Sequence, residues 1–390
     1  MGRIVRMGAG SGFWGDALDP AEELLERANL DYLCFDYLAE LTMALLQRQK
    51  LKRPDAGYVP DAVQAMIALL PKAKAAGTRL ISNGGGVNPR AAADRIAEGA
   101  RQAGLAGARI ALIEGDDMLG RLDALVAQGV PLRNLDTGDE DFSAIRDRVV
   151  CANVYTDSSG ISEGLAGGAD VVIAGRVSDN ALYVGPLAHE FGWRRDAAHV
   201  DRYAAAVTLG HIVECAAGCS GGMSSRFSEM PHMGRVGFPI LEVDETGDAT
   251  ITKLPGSGGR VDQWTVKEHL VYEIGDPRRY LMPDAVADFT SLTLNDEGQD
   301  RVRVSGMRGE PAPDQWKMVV GYQDGWIGET MAFFPWPNAY DRAVKARETL
   351  LERFERMGLA ADQVHFDFVG LNTLHGPAAA FPGREWANEL

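Results

Sequence analysis

The chain is poor in cysteine and in basic runs, and it has no long apolar stretch. Four cysteines, Cys34, Cys151, Cys215 and Cys219, are too few for a disulfide framework in 390 residues. Cys215 and Cys219 are not spaced as C-x-x-C, so neither a zinc ribbon nor a dithiol redox motif is supported. No apolar run approaches the ~20 residues of a membrane helix. The N-terminus, Met1 to Met7, runs straight into a strand-like pattern without the features of a secretory leader. These absences point to a cytoplasmic protein that does not enter a membrane. Basic residues number 39 against 55 acidic ones, a formal net charge of −16. The strongest basic run, Lys50-Leu51-Lys52-Arg53, reads as a solvated helix end. A nucleic-acid binder needs a basic face, so that class is excluded.

What is present is ordinary globular material. Hydrophobic residues at 46% and charged residues at 24% rule out a disordered or fibrous chain. At this length roughly three quarters of the unfolded surface can be buried, so no metal or disulfide staple is needed for folding.

The first half repeats one theme, a short apolar run, a polar or glycine-rich corner, then a helical pattern. Six strands are expected, over Ile4–Met7, Asp31–Tyr37, Thr78–Ser82, Ala108–Ile113, Arg148–Val154 and Ala169–Ala174. Helices are expected over Pro20–Ala28, Ala39–Leu51, Pro60–Ala76, Pro89–Ala103, Met118–Gln128 and Ser159–Ala166, with two more around Asn180–Glu190 and Asp201–Cys215. Asp19 and Asn88 are the expected N-caps, each followed by a proline at the first helical position. Strands that are apolar on both faces imply a mostly parallel sheet flanked by helices, an α/β fold. A doubly wound open sheet is favoured and a (β/α)8 barrel is the alternative. After about Gly218 glycine and proline corners separate short alternating strands, over Asp288–Leu294, Arg301–Ser305, Lys317–Tyr322 and Trp326–Phe334. A helix, Ala339–Met357, and a strand, Val364–Val369, follow. The expected organisation is an α/β domain over 1–218 and an α+β domain over 219–390.

Ligands of parallel sheets bind beyond the carboxyl ends of the strands. Those ends collect Gly8–Gly12 from the first strand, Asp36 and Glu40 from the second, Asn83-Gly84-Gly85-Gly86 and Asn88 from the third. They add Glu114, Asp116 and Asp117, then Asp157, then Arg176 and Asp179. Gly10, Ser11 and Gly12 sit where backbone N–H groups could hold a phosphate or carboxylate, but Phe13 stands where a dinucleotide fingerprint needs glycine. A plain tight turn is the alternative. Gly84 and Gly85 allow a close backbone approach, whether to a ligand or to a packed helix. Asp36 lies between Phe35 and Tyr37, an expensive place for a charge unless it is paired, and so a candidate for a raised pKa. Asp36 with Asp116 and Asp157 could hold a hard divalent cation such as Mg²⁺, or Asp36 and Glu40 could serve as general bases. Arg176 could clamp an anionic substrate or simply pair with Asp179. His211 and Glu214 share a helix face at i, i+3, as a catalytic pair or as a satisfied buried histidine. Gly258, in Pro255-Gly256-Ser257-Gly258-Gly259 beside Lys253, reads as an anion-cradling loop or an ordinary turn.

Several of these segments taken together resemble the acyclic terpene utilisation (AtuA) family. They are Gly8 to Asp16, Asp31 to Thr42, Asn83 to Pro89, Gly175 to Asp179, Gly210 to Cys215 and Lys253 to Gly259. The order is kept over nearly the whole chain. Where the family has Asn-Ala-Gly-Gly, this chain has Asn83-Gly84-Gly85-Gly86, which keeps the close approach. The resemblance implies catabolism of branched acyclic terpenoids through carboxylic acids and CoA thioesters. The expectation is a lyase or hydratase in which Asp36 and Glu40 act as base or metal ligands, Arg176 holds the anionic group and His211 is the reserve acid. Some relatives carry a further small C-terminal domain that this chain is expected to lack, which leaves room for a small separate partner subunit beside a homo-oligomer. A non-catalytic acyl-binding subunit and a nicotinamide oxidoreductase are the alternatives.

Overall fold

A computed structural model describes residues 2–379. The chain divides into two compact units between Gln323 and Asp324.

In the first unit the βα rhythm is realised as β1 (Ile4–Ser11), α1 (Asp19–Arg27), β2 (Tyr32–Phe35), α2 (Glu40–Lys52), α3 (Pro60–Ala76), β3 (Arg79–Ser82), α4 (Pro89–Gln102) and β4 (Ile110–Ile113). Two short helices, α5 (Leu122–Ala127) and α6 (Ser143–Arg146), precede β5 (Val149–Val154), α7 (Ser159–Ala166), β6 (Val171–Ala174), α8 (Ala181–Phe191) and α9 (Val200–Val213). Then come β7 (Ile240–Asp244), β8 (Ala249–Thr252), α10 (Gln263–Leu270), β9 (Tyr280–Leu281), β10 (Val286–Asp288), β11 (Thr293–Asp296), β12 (Arg301–Ser305), β13 (Arg308–Glu310) and β14 (Met318–Tyr322). The second unit contributes α11 (Ala339–Arg356).

Nine strands form one sheet in the order β11-β12-β8-β7-β1-β2-β3-β6-β4. The five strands from β1 to β4 in that order run parallel, while β7, β8, β12 and β11 extend the sheet antiparallel. The sheet has two edge strands, β11 and β4, and is therefore open, not a closed barrel. Helices cover both of its faces because the parallel strands are apolar on alternate residues in both directions. Leu33 and Phe35 of β2 pack with α1, α3 and α4, while Tyr32 and Cys34 pack with α7, α8 and α9. Gly218 lies within this unit, and β1 and β7, on either side of it in sequence, pair in the same sheet.

Several expectations change. The run 149–154 is a strand but not one of the parallel set: β6 occupies the place beside β3 and β4, and β5 pairs instead with β14, antiparallel. The segments Trp326–Phe334 and Val364–Val369 form no strand and find no pairing partner among the described residues. Asp19 is the first helical residue, not the cap. Asn88 stands at the N-cap but its side chain does not cap the helix; its Nδ2 donates to the carbonyls of Pro54 and Ala56, at 3.0 and 2.7 Å. No helix among the described residues is long and apolar enough to cross a membrane.

Candidate functional site

The strand order places a topological switch point between β3 and β6. The chain leaving β3 enters α4 on one face, and the chain leaving β6 enters α8 on the other. Adjacent strand ends whose connections part to opposite faces open a ligand crevice in parallel sheets. Asp36, Asn83, Arg176 and Asp179 follow β2, β3 and β6 at this edge.

Asp36 is buried and held from three sides. Ser11 at the end of β1 donates its hydroxyl to the Asp36 carbonyl at 2.9 Å. Asn83 Nδ2 donates to Asp36 Oδ1 at 2.6 Å, and the Leu38 N–H reaches the same oxygen at 3.2 Å. Asn83 Oδ1 in turn accepts the Tyr37 N–H at 2.9 Å, which fixes which end of the amide faces the acid. Burial pushes the Asp36 carboxyl well above its usual range, and the charges of Asp179 and Glu214 push the same way; Arg176 and Asn83 only partly oppose them.

Arg176 is 1% exposed. Its Nη1 donates to the Leu38 carbonyl at 3.0 Å and its Nη2 to Asp179 Oδ1 at 2.6 Å. The guanidinium carbon lies 3.9 Å from the centre of the Tyr155 ring, in cation–π range. Its backbone is pinned as well: the Arg176 N–H donates to Asp116 Oδ2 at 3.0 Å, and Asn153 Nδ2 donates to that oxygen at 2.8 Å. Burial acts to lower the Arg176 pKa, but the surrounding acids and Tyr155 raise it overall, so the cation is secure.

At the rim, Glu40 accepts from the Tyr155 hydroxyl at 2.6 Å and from Lys317 Nζ at 2.7 Å. Partial burial works to raise the Glu40 pKa, and these two bonds outweigh it, down to about 2. Glu40, Lys317 and Asp179 form the solvent side of the cluster, with side chains 54%, 49% and 32% exposed.

The end of α9 supplies His211 and Glu214. His211 Nδ1 lies 3.1 Å from Glu214 Oε1, and the ring stacks on Phe289 with centres 5.4 Å apart. Burial lowers the imidazole to about 4 and pushes Glu214 well up, with Asp179 and Glu273 adding to the latter. Burial thus works against charge on both partners of this contact. Five buried polar atoms here, Arg176 Nε, Asn180 Nδ2, Tyr183 Oη, Glu214 Oε2 and His211 Nε2, have no hydrogen-bond partner. Buried polar groups are nearly always paired, so these five stand out. Burial pushes the Tyr183 phenol well up, and the neighbouring Cys34, Asp36 and Glu214 push the same way.

The structure thus brings Asp36, Glu40, Asn83, Arg176, Asp179, His211 and Glu214 into one electrostatically linked group, with Asp116 directly behind Arg176. Other expected residues do different work. Gly10 lies under the Phe35 ring, and a Cβ on Gly12 would sit 2.5 Å from the Cys215 backbone. The Gly12 N–H is taken by Asp16 Oδ2 at 2.8 Å. The N–H groups of Gly84, Gly85 and Gly86 go to Ser82 Oγ, the Ala174 carbonyl and the Asn83 carbonyl, so none is free to hold an oxyanion. Gly258 donates its N–H to the Arg235 carbonyl at 2.6 Å. Asp157 bonds to Ser159 and pairs with Arg195 at 3.2 Å. The expected cation trio of Asp36, Asp116 and Asp157 is therefore split among three sets of partners. Among the described residues no group of three or more His, Cys, Asp or Glu side chains is placed to hold a metal.

Tyr155, Lys317, Asn180 and Tyr183 were not visible as site residues in the sequence. Tyr155 and Lys317 flank β5 and β14, and their pairing could not be read from spacing. Asn180 and Tyr183 lie on a helix that looks like ordinary core. Two surface cavities, of about 330 and 500 Å³, lie elsewhere, the smaller against Arg3, Glu190 and Trp193. The acid–arginine cluster is buried beneath Asp179 and Glu40.

No curated protein and no solved structure matches the chain. The family model described as "Acyclic terpene utilisation family protein AtuA" matches residues 5–384, nearly its whole length, and the chain belongs to that family.

Proposed function

We propose that the protein is an acid–base catalyst of acyclic terpenoid catabolism, a lyase or hydratase acting on a branched carboxylic acid or its CoA thioester. The observation that carries this reading is the gathering of Asp36, Glu214 and Asp179 around one arginine, with burial pushing the carboxyls of the first two well above the ordinary range. Environments that separate the pKa values of neighbouring carboxyls assign an acid and a base. Asp36, buried and bonded to Asn83, is the proton donor. Asp179, bonded to Arg176 and partly exposed, is the readiest of the three to ionise and is the base. In the elimination direction Asp179 removes a proton from the carbon next to the carboxyl or thioester. The hydroxyl on the following carbon leaves as water with the Asp36 proton, and a double bond forms; hydration is the reverse. Arg176 offsets the negative charge that develops on the carbonyl oxygen.

The test is to incubate the protein with branched 2-enoyl and 3-hydroxyacyl thioesters and the corresponding acids, following gain or loss of one water by mass spectrometry. Asp36→Asn should lower turnover by about 10²-fold or more, the usual worth of a positioned proton donor, whereas Glu40→Gln should retain most of it. Undiminished turnover by Asp36→Asn, or no turnover of any substrate, overturns the reading. The burial of the cluster favours one other reading, a ligand-binding subunit without turnover. Thermal stabilisation by a thioester with no chemical change would select it.

A further inference from the structure

A second concave feature lies away from the acid cluster, on the antiparallel half of the sheet. Leu241, Val243, Ile251, Val302 and Val304 of β7, β8 and β12 face the core built with α8 and α9. The residues between them, Glu242 and Arg301 among them, therefore face the opposite side. Arg6 of β1 stands in register with Glu242 on that side. Here the end of α1, with Arg27, and the segment after β8, with Lys253, wall a cavity of about 500 Å³. That volume is in the range of small-ligand sites.

Four cations, Arg6, Arg27, Lys253 and Arg301, line this cavity against two carboxylates, Glu242 and Asp300. The pairing leaves positive charge over. Arg6 Nη1 and Arg301 Nη2 share the one carboxylate of Glu242, at 2.7 and 2.9 Å. Lys253, its side chain 2% exposed, lies 3.2 Å from Asp300 and donates to the Ser257 carbonyl at 2.9 Å. Arg27 donates to the Pro255 carbonyl at 3.1 Å and reaches Glu23 on its own helix at 3.3 Å. The Nε of Arg6 is buried with no partner. Counting Glu23, four cations meet three carboxylates, so one positive charge is left over in a concave site of a chain whose net charge is −16.

We propose that this cavity is an anion site for a phosphoryl group. Phosphoryl groups carry close to two negative charges at neutral pH, and arginine forks suit their oxygens. The ligand is either free phosphate or diphosphate, or an organic molecule carrying that group.

Isothermal titration of the full chain with inorganic phosphate, and separately with pyrophosphate, tests the proposal at low ionic strength. The expected result is saturable binding of one equivalent that weakens as salt is raised. Arg301→Gln and Arg6→Gln should each weaken it about tenfold or more, the worth of one charge-assisted hydrogen bond. Each variant leaves Glu242 with its other arginine, so folding should survive, and circular dichroism checks that it does. Arg90→Gln, which removes an exposed pair with Glu114, should bind as the unmodified chain does. Tighter binding of pyrophosphate than of phosphate points to a larger phosphorylated ligand, and equal binding to the free ion. Absence of saturable binding, or equal weakening by Arg90→Gln, overturns the site. Asp36→Asn should leave the titration unchanged, so the outcome is separate from the fate of the acid–base reading.

Discussion

Asp36 is the residue at which burial and chemistry meet. Its carboxyl binds a proton more tightly in the folded chain than in the unfolded one, and linkage fixes the sign of the consequence. Between the unfolded value near 4 and the raised folded value, the folded state holds more protons. Stability contributed by this group therefore falls as pH rises through that window, by up to about 1.4 kcal/mol per pH unit. Asp36→Asn cannot ionise and still accepts the Leu38 N–H. Relative to the unmodified chain it should gain stability between pH 5 and pH 8 in chemical denaturation. A stability difference between the two that does not change with pH would contradict the raised carboxyl. His211 acts in the opposite sense: its lowered pKa removes stability as pH falls from about 6.5 toward 4. At this scale the sequence was informative where a residue broke a local rule. An acid between two aromatics and an arginine among acids both stood out. Tyr155 and Tyr183 broke no rule, so only their position in space shows what they touch.

At the scale of elements, the approach of β3 to β6 decides whether the site exists. Gly85 lies where the turn after β3 meets the end of β6, and its N–H bonds to the Ala174 carbonyl at 3.0 Å. A Cβ there would sit 2.5 Å from that oxygen and 2.6 Å from Pro89 Cβ. Neither neighbour is the free end of a flexible side chain, so the turn must move. Gly85→Ala should cost about 1–3 kcal/mol, and Gly77→Ala, at a helix end with open space around it, less. Thermal denaturation of the two variants compares them, and equal losses would show that backbone strain at a positive φ costs as much as the clash. Helix limits were legible because prolines and glycines punctuate them: α3 begins at Pro60 and stops before Gly77. The place of β5 was not, because a short apolar run says that a strand forms but not which strand it pairs with. The crowded slot between β3 and β4, filled by β6, is a fact of topology.

Taken whole, the molecule joins a well-packed unit to a sparser one. Trp326 and Ile327 are 98% and 95% exposed, and residues 323–330 carry no regular structure. Such segments are cut first by proteases. Brief digestion with chymotrypsin should cleave first between residues 323 and 337, leaving a fragment that keeps the nine-stranded sheet, as mass spectrometry and circular dichroism would show. First cuts inside β1–β6 would contradict this division. A few of the 55 acidic residues, read first only as a bar to nucleic acid, are gathered around Arg176. Because those acids are protonated to differing degrees, any anion that settles beside them alters how many protons they retain. The heat measured on binding there would then include the ionisation heat of the buffer, and affinity would climb as the solution is acidified. Occupancy of the crevice would thus track the acidity of its surroundings without any change in the shape of the chain.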